Sequence, residues 1–226
     1  GYGQLEDNYF QSSVIDFDKD RSDRSTYKLL GGSIGFYGST LNTRQYATKG
    51  YLEKLIAQVF TGRERFEPGN PQEGYSPSPQ ERQSWLQISY MKEAYHTMGP
   101  KFTLGWMAEA LYSSKNFSEN YTATMMQAGE FAPTPHSKLM YNEAFRANQY
   151  VAAGIKPIYV LNDMFQFRTE FYGFTPIFPI KKNALNKAYY GKAFSRFEYM
   201  GEVSVICHLP FGAISAYVNH YSSPRR

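Results

Sequence analysis

Gly31-Gly32-Ser33-Ile34-Gly35 satisfies the G-x-S-x-G pattern in which a serine hydrolase holds its nucleophile on a sharp strand-to-helix turn. That chemistry needs the helix, which supports the elbow and the oxyanion hole. Here the sequence continues FYGSTLNTRQY, extended and turn-like, so Ser33 reads as a small residue between glycines in a strand with aromatic neighbours. The four histidines, His96, His136, His208 and His220, show no ligand spacing. Cys207 is the only cysteine, which excludes an internal disulfide framework and a multi-cysteine zinc site. It falls on the apolar side of its segment, where a thiol behaves as a small hydrophobe. No catalytic, cofactor-binding or metal-ligating residue is expected from these patterns. What remains is charge. Lys54, Glu64, Glu93, Glu109, Lys156, Arg168, Glu170, Arg196, Glu198 and Glu202 fall on or near the polar faces of extended segments. They fit either a solvated, ion-paired lining or a conduit or gate for a polypeptide or a lipid.

The segments that carry these charges alternate with period two. In Ser195 to Leu209, the positions Phe197, Tyr199, Val203, Val205, Cys207 and Leu209 oppose Arg196, Glu198, Glu202, Ser204 and His208, as a pleated strand requires. Phe165 to Phe178 sets Phe165, Phe167 and Phe171 against Gln166, Arg168, Glu170 and Tyr172. Phe102 to Tyr112 and Arg82 to Tyr95 follow suit. Tyr51 to Arg65, Tyr150 to Leu161 and Gly212 to Ser222 alternate less cleanly, and Tyr27 to Gly38 and Tyr121 to Ala132 weakly. That predicts about nine strands and no segment of helical periodicity. Asp16 to Ser25, a charge run, and Glu67 to Glu81, rich in Pro, Gly and Ser, read as loops.

Composition narrows the class. The chain has 226 residues, 17% of them aromatic, with 24 Lys+Arg against 20 Asp+Glu. It is too apolar and too weakly charged for a disordered chain, and no Lys/Arg cluster with interleaved stacking aromatics points to nucleic acid. The mean hydropathy of −0.52 and the lack of a long apolar run exclude a transmembrane helix. A membrane barrel stays open, because its strands alternate and are hydrophilic on average. Two features favour it over a soluble sandwich: strands far longer than the usual 5–6 residues, and Tyr and Phe crowded at strand ends like interfacial girdles. The first ten residues, GYGQLEDNYF, carry no basic n-region or apolar h-region, so the chain reads as a fragment or a processed product.

The C-terminal half carries a resemblance. FRANQYVAAG (Phe145 to Gly154), after the Pro-rich APTPHS (Ala132 to Ser137), is similar to the inward-folded sixth-loop motif of the surface-antigen, or barrel-assembly, superfamily of outer-membrane proteins. Phe165 to Phe178 resembles that family's thirteenth strand, and Gly201 to Tyr221 its penultimate hairpin, with Leu209-Pro210-Phe211-Gly212 as the periplasmic turn. More narrowly, NTRQYATKGYLEKL (Asn42 to Leu55), GRERFEPG (Gly62 to Gly69) and FRANQYVAAGIKPIY resemble the barrel fused to patatin-like phospholipases. The resemblance covers about Tyr27 to Ser223. Ala147 departs from the family's V-R-G-F/Y motif, where glycine is usual. The chain also stops at Pro224-Arg225-Arg226, one strand short of the family's closing strand.

The resemblance implies an all-β fold: an antiparallel transmembrane β-barrel, represented here by about nine strands of sixteen. The whole chain, 1–226, would be one barrel domain, incomplete at both ends because an open edge in lipid is untenable. It implies a bacterial outer-membrane location, with outer-membrane lipids, other outer-membrane proteins or a patatin domain of the same polypeptide as partners, and no nucleic acid. The barrel would anchor and translocate a patatin-like phospholipase whose catalytic residues lie upstream. Two alternatives stay open: a barrel-assembly or transport protein without an enzyme domain, and a soluble β-sandwich binding module. The family motif places one arginine inside the lumen, here Arg146. The family's acid would align with Phe174, so Glu170, four residues earlier on the same face, is the expected partner of Arg146, with Glu202 second.

Overall fold

The computed structural model describes residues 1–11, 19–70 and 82–223. The strands in chain order are β1 (Tyr2–Tyr9), β2 (Asp23–Ser39), β3 (Gly50–Glu67), β4 (Arg82–Thr97), β5 (Phe102–Ser113), β6 (Gly129–Glu130), β7 (Arg146–Ala147), β8 (Gln149–Val160), β9 (Phe165–Pro176), β10 (Ile180–Lys182), β11 (Ala188–Tyr190), β12 (Glu198–Leu209) and β13 (Gly212–Tyr221). Nine of them form one antiparallel sheet in the order β1-β2-β3-β4-β5-β8-β9-β12-β13. Strand makes up 62% and helix 6% of the structure, so the fold is all-β. Among the described residues no closed barrel is formed: β1 and β13 are the two edges of the sheet.

Alternation sorts the residues onto two faces, and the outcome is the reverse of a soluble protein. On the outer face Val203 is 58% exposed, Phe171 53% and Ile155 50%. On the inner face Lys156 is 4% exposed, Arg168 3% and Glu202 5%. A buried charge and a broad exposed apolar surface are the two departures from ordinary packing that call for a cause.

The sheet is curled. Tyr46, in the connection 40–49 between β2 and β3, donates its hydroxyl to Ser215 on β13 at 2.8 Å. Adjacent strands lie about 4.8 Å apart, so β13 would be out of reach across a flat sheet. Connections at the two ends differ. Residues 98–101, 161–164 and 210–211 make short turns at one end, together with 40–49. At the other end 10–22, 68–81, 114–148 and 177–197 make long ones.

Residues 114–148, called the strap here, fold back over the inner face. Their helix α1 (Tyr121–Gln127) starts where Asn120 accepts from the Ala123 amide at 2.9 Å, the side-chain cap a helix start needs. This corrects the strand expected over Tyr121 to Ala132. Ala123, Thr124 and Met125 bury one side of the helix, a tertiary gain that outweighs the residues' indifferent propensities. A second correction is β1: Tyr2–Tyr9 was not expected as a strand, since neither face of YGQLEDNY is apolar, yet it pairs with β2 from Tyr2↔Leu30 to Tyr9↔Asp23. That pairing also begins β2 at Asp23, inside the charge run read as a loop. Within the two loop readings, residues 16–18 and 71–81 lie outside the described residues, as does the ending Pro224-Arg225-Arg226.

Candidate functional site

The inner face gathers most of the charges singled out above. On β4, β8 and β9 they form a paired ladder. Lys156 Nζ meets Glu93 Oε1 at 3.0 Å, and Arg168 Nε meets Glu170 Oε1 at 3.0 Å. Tyr95 donates to Glu93 and Tyr172 to Glu170. Arg168 Nη1 also donates to the Ala47 carbonyl at 3.0 Å, tying the 40–49 connection down onto β9. Every carboxylate of the ladder has a cation and a phenol, which is what burial of charge demands.

Glu202 lies directly opposite Glu170 across the β9–β12 pair. Its Oε2 has no hydrogen-bond partner, and neither has Ser204 Oγ two residues on.

Arg146 is largely buried against the rest of the strap, and its partner is neither Glu170 nor Glu202. Nη2 donates to Glu130 Oε2 at 2.8 Å, and Nη1 donates to the carbonyls of Met126 at 3.0 Å and Ala128 at 3.2 Å. The guanidinium therefore caps the C-terminal end of α1, where free carbonyls and the helix dipole favour a cation. It also lies 4.7 Å from the Tyr141 ring centroid. The expected pairing fails for a local reason: Glu170 is already held by Arg168, whereas Glu130 sits beside Arg146 through the β6–β7 ladder, Glu130↔Arg146. Burial pushes the Glu130 carboxyl up, and Arg146 draws it back.

A second anchoring cluster ties the strap to the other side of the sheet. Asn120 Nδ2 donates to Tyr9 at 2.8 Å, Tyr9 and Ser25 share a bond of 3.0 Å, and Tyr27 donates to Glu64 at 3.2 Å. The Glu119 amide reaches Glu64 at 3.4 Å, and Gln127 Nε2 donates to Asp7 at 2.6 Å. Lys115 is buried among them, its Nζ 5.1 Å from the Trp85 ring centroid and 5.2 Å from that of Tyr27. Burial pushes its ammonium down to about 8, against the pull of Glu64 and Asp7. Sequence reasoning missed Lys115, Asn120 and Glu130. The one local signal was Asn120 three residues ahead of Ala123, a helix-start pattern.

The remaining candidates are scattered. Ser33 is exposed in the middle of β2, opposite Gln58, with strand on both sides of it. His208 contacts Gln166 at 2.8 Å, His96 accepts from Trp106 at 3.3 Å, and His136 meets Tyr217 at 3.3 Å. Among the described residues no group of three His, Cys, Asp or Glu could hold a metal ion. Arg196 donates to the carbonyl of Ala144 at 3.0 Å, and Glu198 accepts from Ser222 at 2.5 Å. Chemically the arrangement is a network that binds one part of the chain to another. No family model matches the chain, and no curated protein or solved structure matches it.

Proposed function

We propose that this chain is the membrane-embedded wall of an outer-membrane β-barrel, acting as the anchor and translocation unit of a patatin-like phospholipase. The reading of a membrane wall rests on one observation, the reversal of the two faces. Val203, Phe171 and Ile155 stand outward while Lys156, Arg168 and Glu202 are buried inward. In water, an apolar surface running across all the strands from β5 to β13 would be a severe aggregation liability. In a bilayer it is the required lipid contact, and the polar inner face is the required hydrated or packed interior. The unequal connections agree, since outer-membrane barrels have short turns on the periplasmic side and longer loops outside. The link to a patatin-like enzyme rests on the sequence strings around Asn42 to Gly69 and Phe145 to Tyr159. Its hydrolytic groups would lie outside this chain, because Ser33 has no elbow.

Membrane fractionation of the full-length product tests the wall. The expected outcome is extraction by detergent alone, resistance to alkaline carbonate, and a folded band that shifts on heating in a gel. Release into carbonate would reject it. The enzyme link is checked separately: Ser33→Ala should leave phospholipase turnover of the full-length protein unchanged.

A further inference from the structure

On the outer face of β1 to β4, beyond the apolar band, the cross-strand register lines up Gln4, Lys28, Arg63 and Arg82 in one row. Three cations thus stand side by side on adjacent strands, each about 4.8 Å from the next. All three are exposed. Like charges directly opposite each other destabilise a sheet, so a row of three is costly unless an anion lies across it. The neighbouring cations differ. Arg24 pairs with Glu6 at 2.9 Å and Arg65 with Glu67 at 2.9 Å, whereas Lys28, Arg63 and Arg82 make no ion pair among the described residues. Gln4, Thr26, Lys28 and Arg63 line a depression, together with the paired Arg24 and Glu6 and the paired Arg65 and Glu67.

The place of the row in the wall says what the anion is attached to. One step inward along the strands come Leu30, Thr61 and Ser84, then Gly32, Val59 and Leu86, then Ile34, Ala57 and Ile88. The cations therefore border the apolar band at the end with the long connections, at the depth of lipid headgroups. A basic cluster facing outward at that depth meets a lipid and not a lumenal solute. We infer that Lys28, Arg63 and Arg82 form a binding site for the phosphate of a membrane-lipid headgroup in the leaflet at the long-connection end. Arginine gives the bidentate fit to phosphate oxygens that a diffuse charge lacks. This inference rests on the reading of the chain as a membrane wall.

The test uses the full-length protein in phosphatidylcholine nanodiscs containing a minor fraction of phosphatidic acid, with lipid retained on the released protein counted by native mass spectrometry. The wild type should retain phosphatidic acid in preference to phosphatidylcholine, and excess inorganic phosphate should leave that preference in place. Lys28→Gln with Arg63→Gln and Arg82→Gln should lower it by at least about tenfold, since each basic group near an anionic surface is worth a substantial share of the attraction. Arg63→Gln alone should lower it by a smaller factor. The exposed cations at the opposite end, changed as Arg44→Gln, Lys49→Gln and Lys101→Gln, should leave it intact. Insertion without any preference, an equal loss in both triple variants, or displacement by inorganic phosphate would overturn this site and leave the membrane reading standing. A chain that stays outside the discs would overturn both.

Discussion

The inner face has two halves with the same kind of sequence and different fates. Beneath the strap, on β5, β8, β9 and β12, Phe131 stacks with Phe174 at 5.9 Å between ring centroids. It also meets Tyr150 and Tyr172 edge-on at 6.2 and 6.1 Å. Phe145 adds contacts to Phe174 at 5.7 Å and to Tyr221 at 6.0 Å. On β3 and β4 the inward aromatics Phe60 and Trp85 also stack, at 5.1 Å, but remain partly open. Alternation alone thus decides which way a residue points. Whether it becomes core depends on a segment from elsewhere in the chain. The strap carries Phe131 and Phe145 down onto β8 and β9, whereas it meets β3 and β4 with polar groups, the Glu119 amide at Glu64 and Lys115 over Trp85.

The contrast can be broken most strongly at its aromatic centre. Phe131→Ala should cost about 3–5 kcal/mol, the range for emptying a fully packed aromatic site. Phe60→Ala, on the open half, should stay within about 1 kcal/mol. Denaturant titration of the folded chain in lipid reads both, and equal losses would erase the distinction.

Next comes the latch. Arg146→Ala removes the partner of Glu130 and the bonds to the Met125, Met126 and Ala128 carbonyls, for about 3 kcal/mol, the lower end for breaking a buried pair because Glu130 keeps some exposure. The exposed bridge of Arg65 with Glu67 should be worth at most about 1 kcal/mol. Hydrogen exchange should show the loss confined to residues 114–148, with β2 to β4 unchanged.

The two faces of the wall differ by a similar amount. If the outer face meets lipid as proposed, Val203→Arg should cost about 2–4 kcal/mol and suppress the heat-modifiable band. Gln58→Arg, on the open half of the inner face, should preserve it. Glu202 would be a poor inner-face control, because it is buried opposite Glu170.

The smallest expected effect is a pH slope. Lys115 titrates near 8 when folded and near its ordinary 10.5 when unfolded. Between those values the unfolded chain binds the extra proton, so stability contributed through Lys115 rises as pH climbs from about 8 to 10.5. Below 8 the ammonium is charged in both states and its burial is at its most costly. Lys115→Met should flatten this part of the profile, and an unchanged slope would mean the ammonium is not held among the rings of Tyr27 and Trp85.

Much of the wall was legible. Val203 against Glu202, and Phe167 against Arg168, announce their faces by alternation, and the register of the sheet keeps them there. β1 was not legible, because Tyr2–Tyr9 has no apolar face of its own and is a strand only by pairing with β2. Nor was α1, whose seven residues are too few to display a helical period. For the site, the expected partners of Arg146 were Glu170 and Glu202, whereas its ion pair is with Glu130. Sequence spacing locates residues along one strand, whereas Glu130 reaches Arg146 through a fold of the strap that no strand period encodes. The charges in the ladder were visible singly. Their pairing, Lys156 with Glu93 and Arg168 with Glu170, depended on register and on curvature.

The strap touches both borders of the sheet. Gln127 bonds Asp7 on β1, and His136 meets Tyr217 on β13. Tyr46 with Ser215, and Asn186 with Gln11, likewise join residues far apart along the chain. Neighbouring strands can zip together as hairpins in the order in which they emerge, with little loop-closure cost. The two that reach β13, Tyr46 with Ser215 and His136 with Tyr217, can form only after the last hairpin has arrived. Such distant closures are slow steps in folding, so the wall passes through a time when all its strands are paired and its radius is still free to change. The strap then acts as a bowstring: docking at one border while tethered to the other fixes the arc, and with it the separation of the two edges.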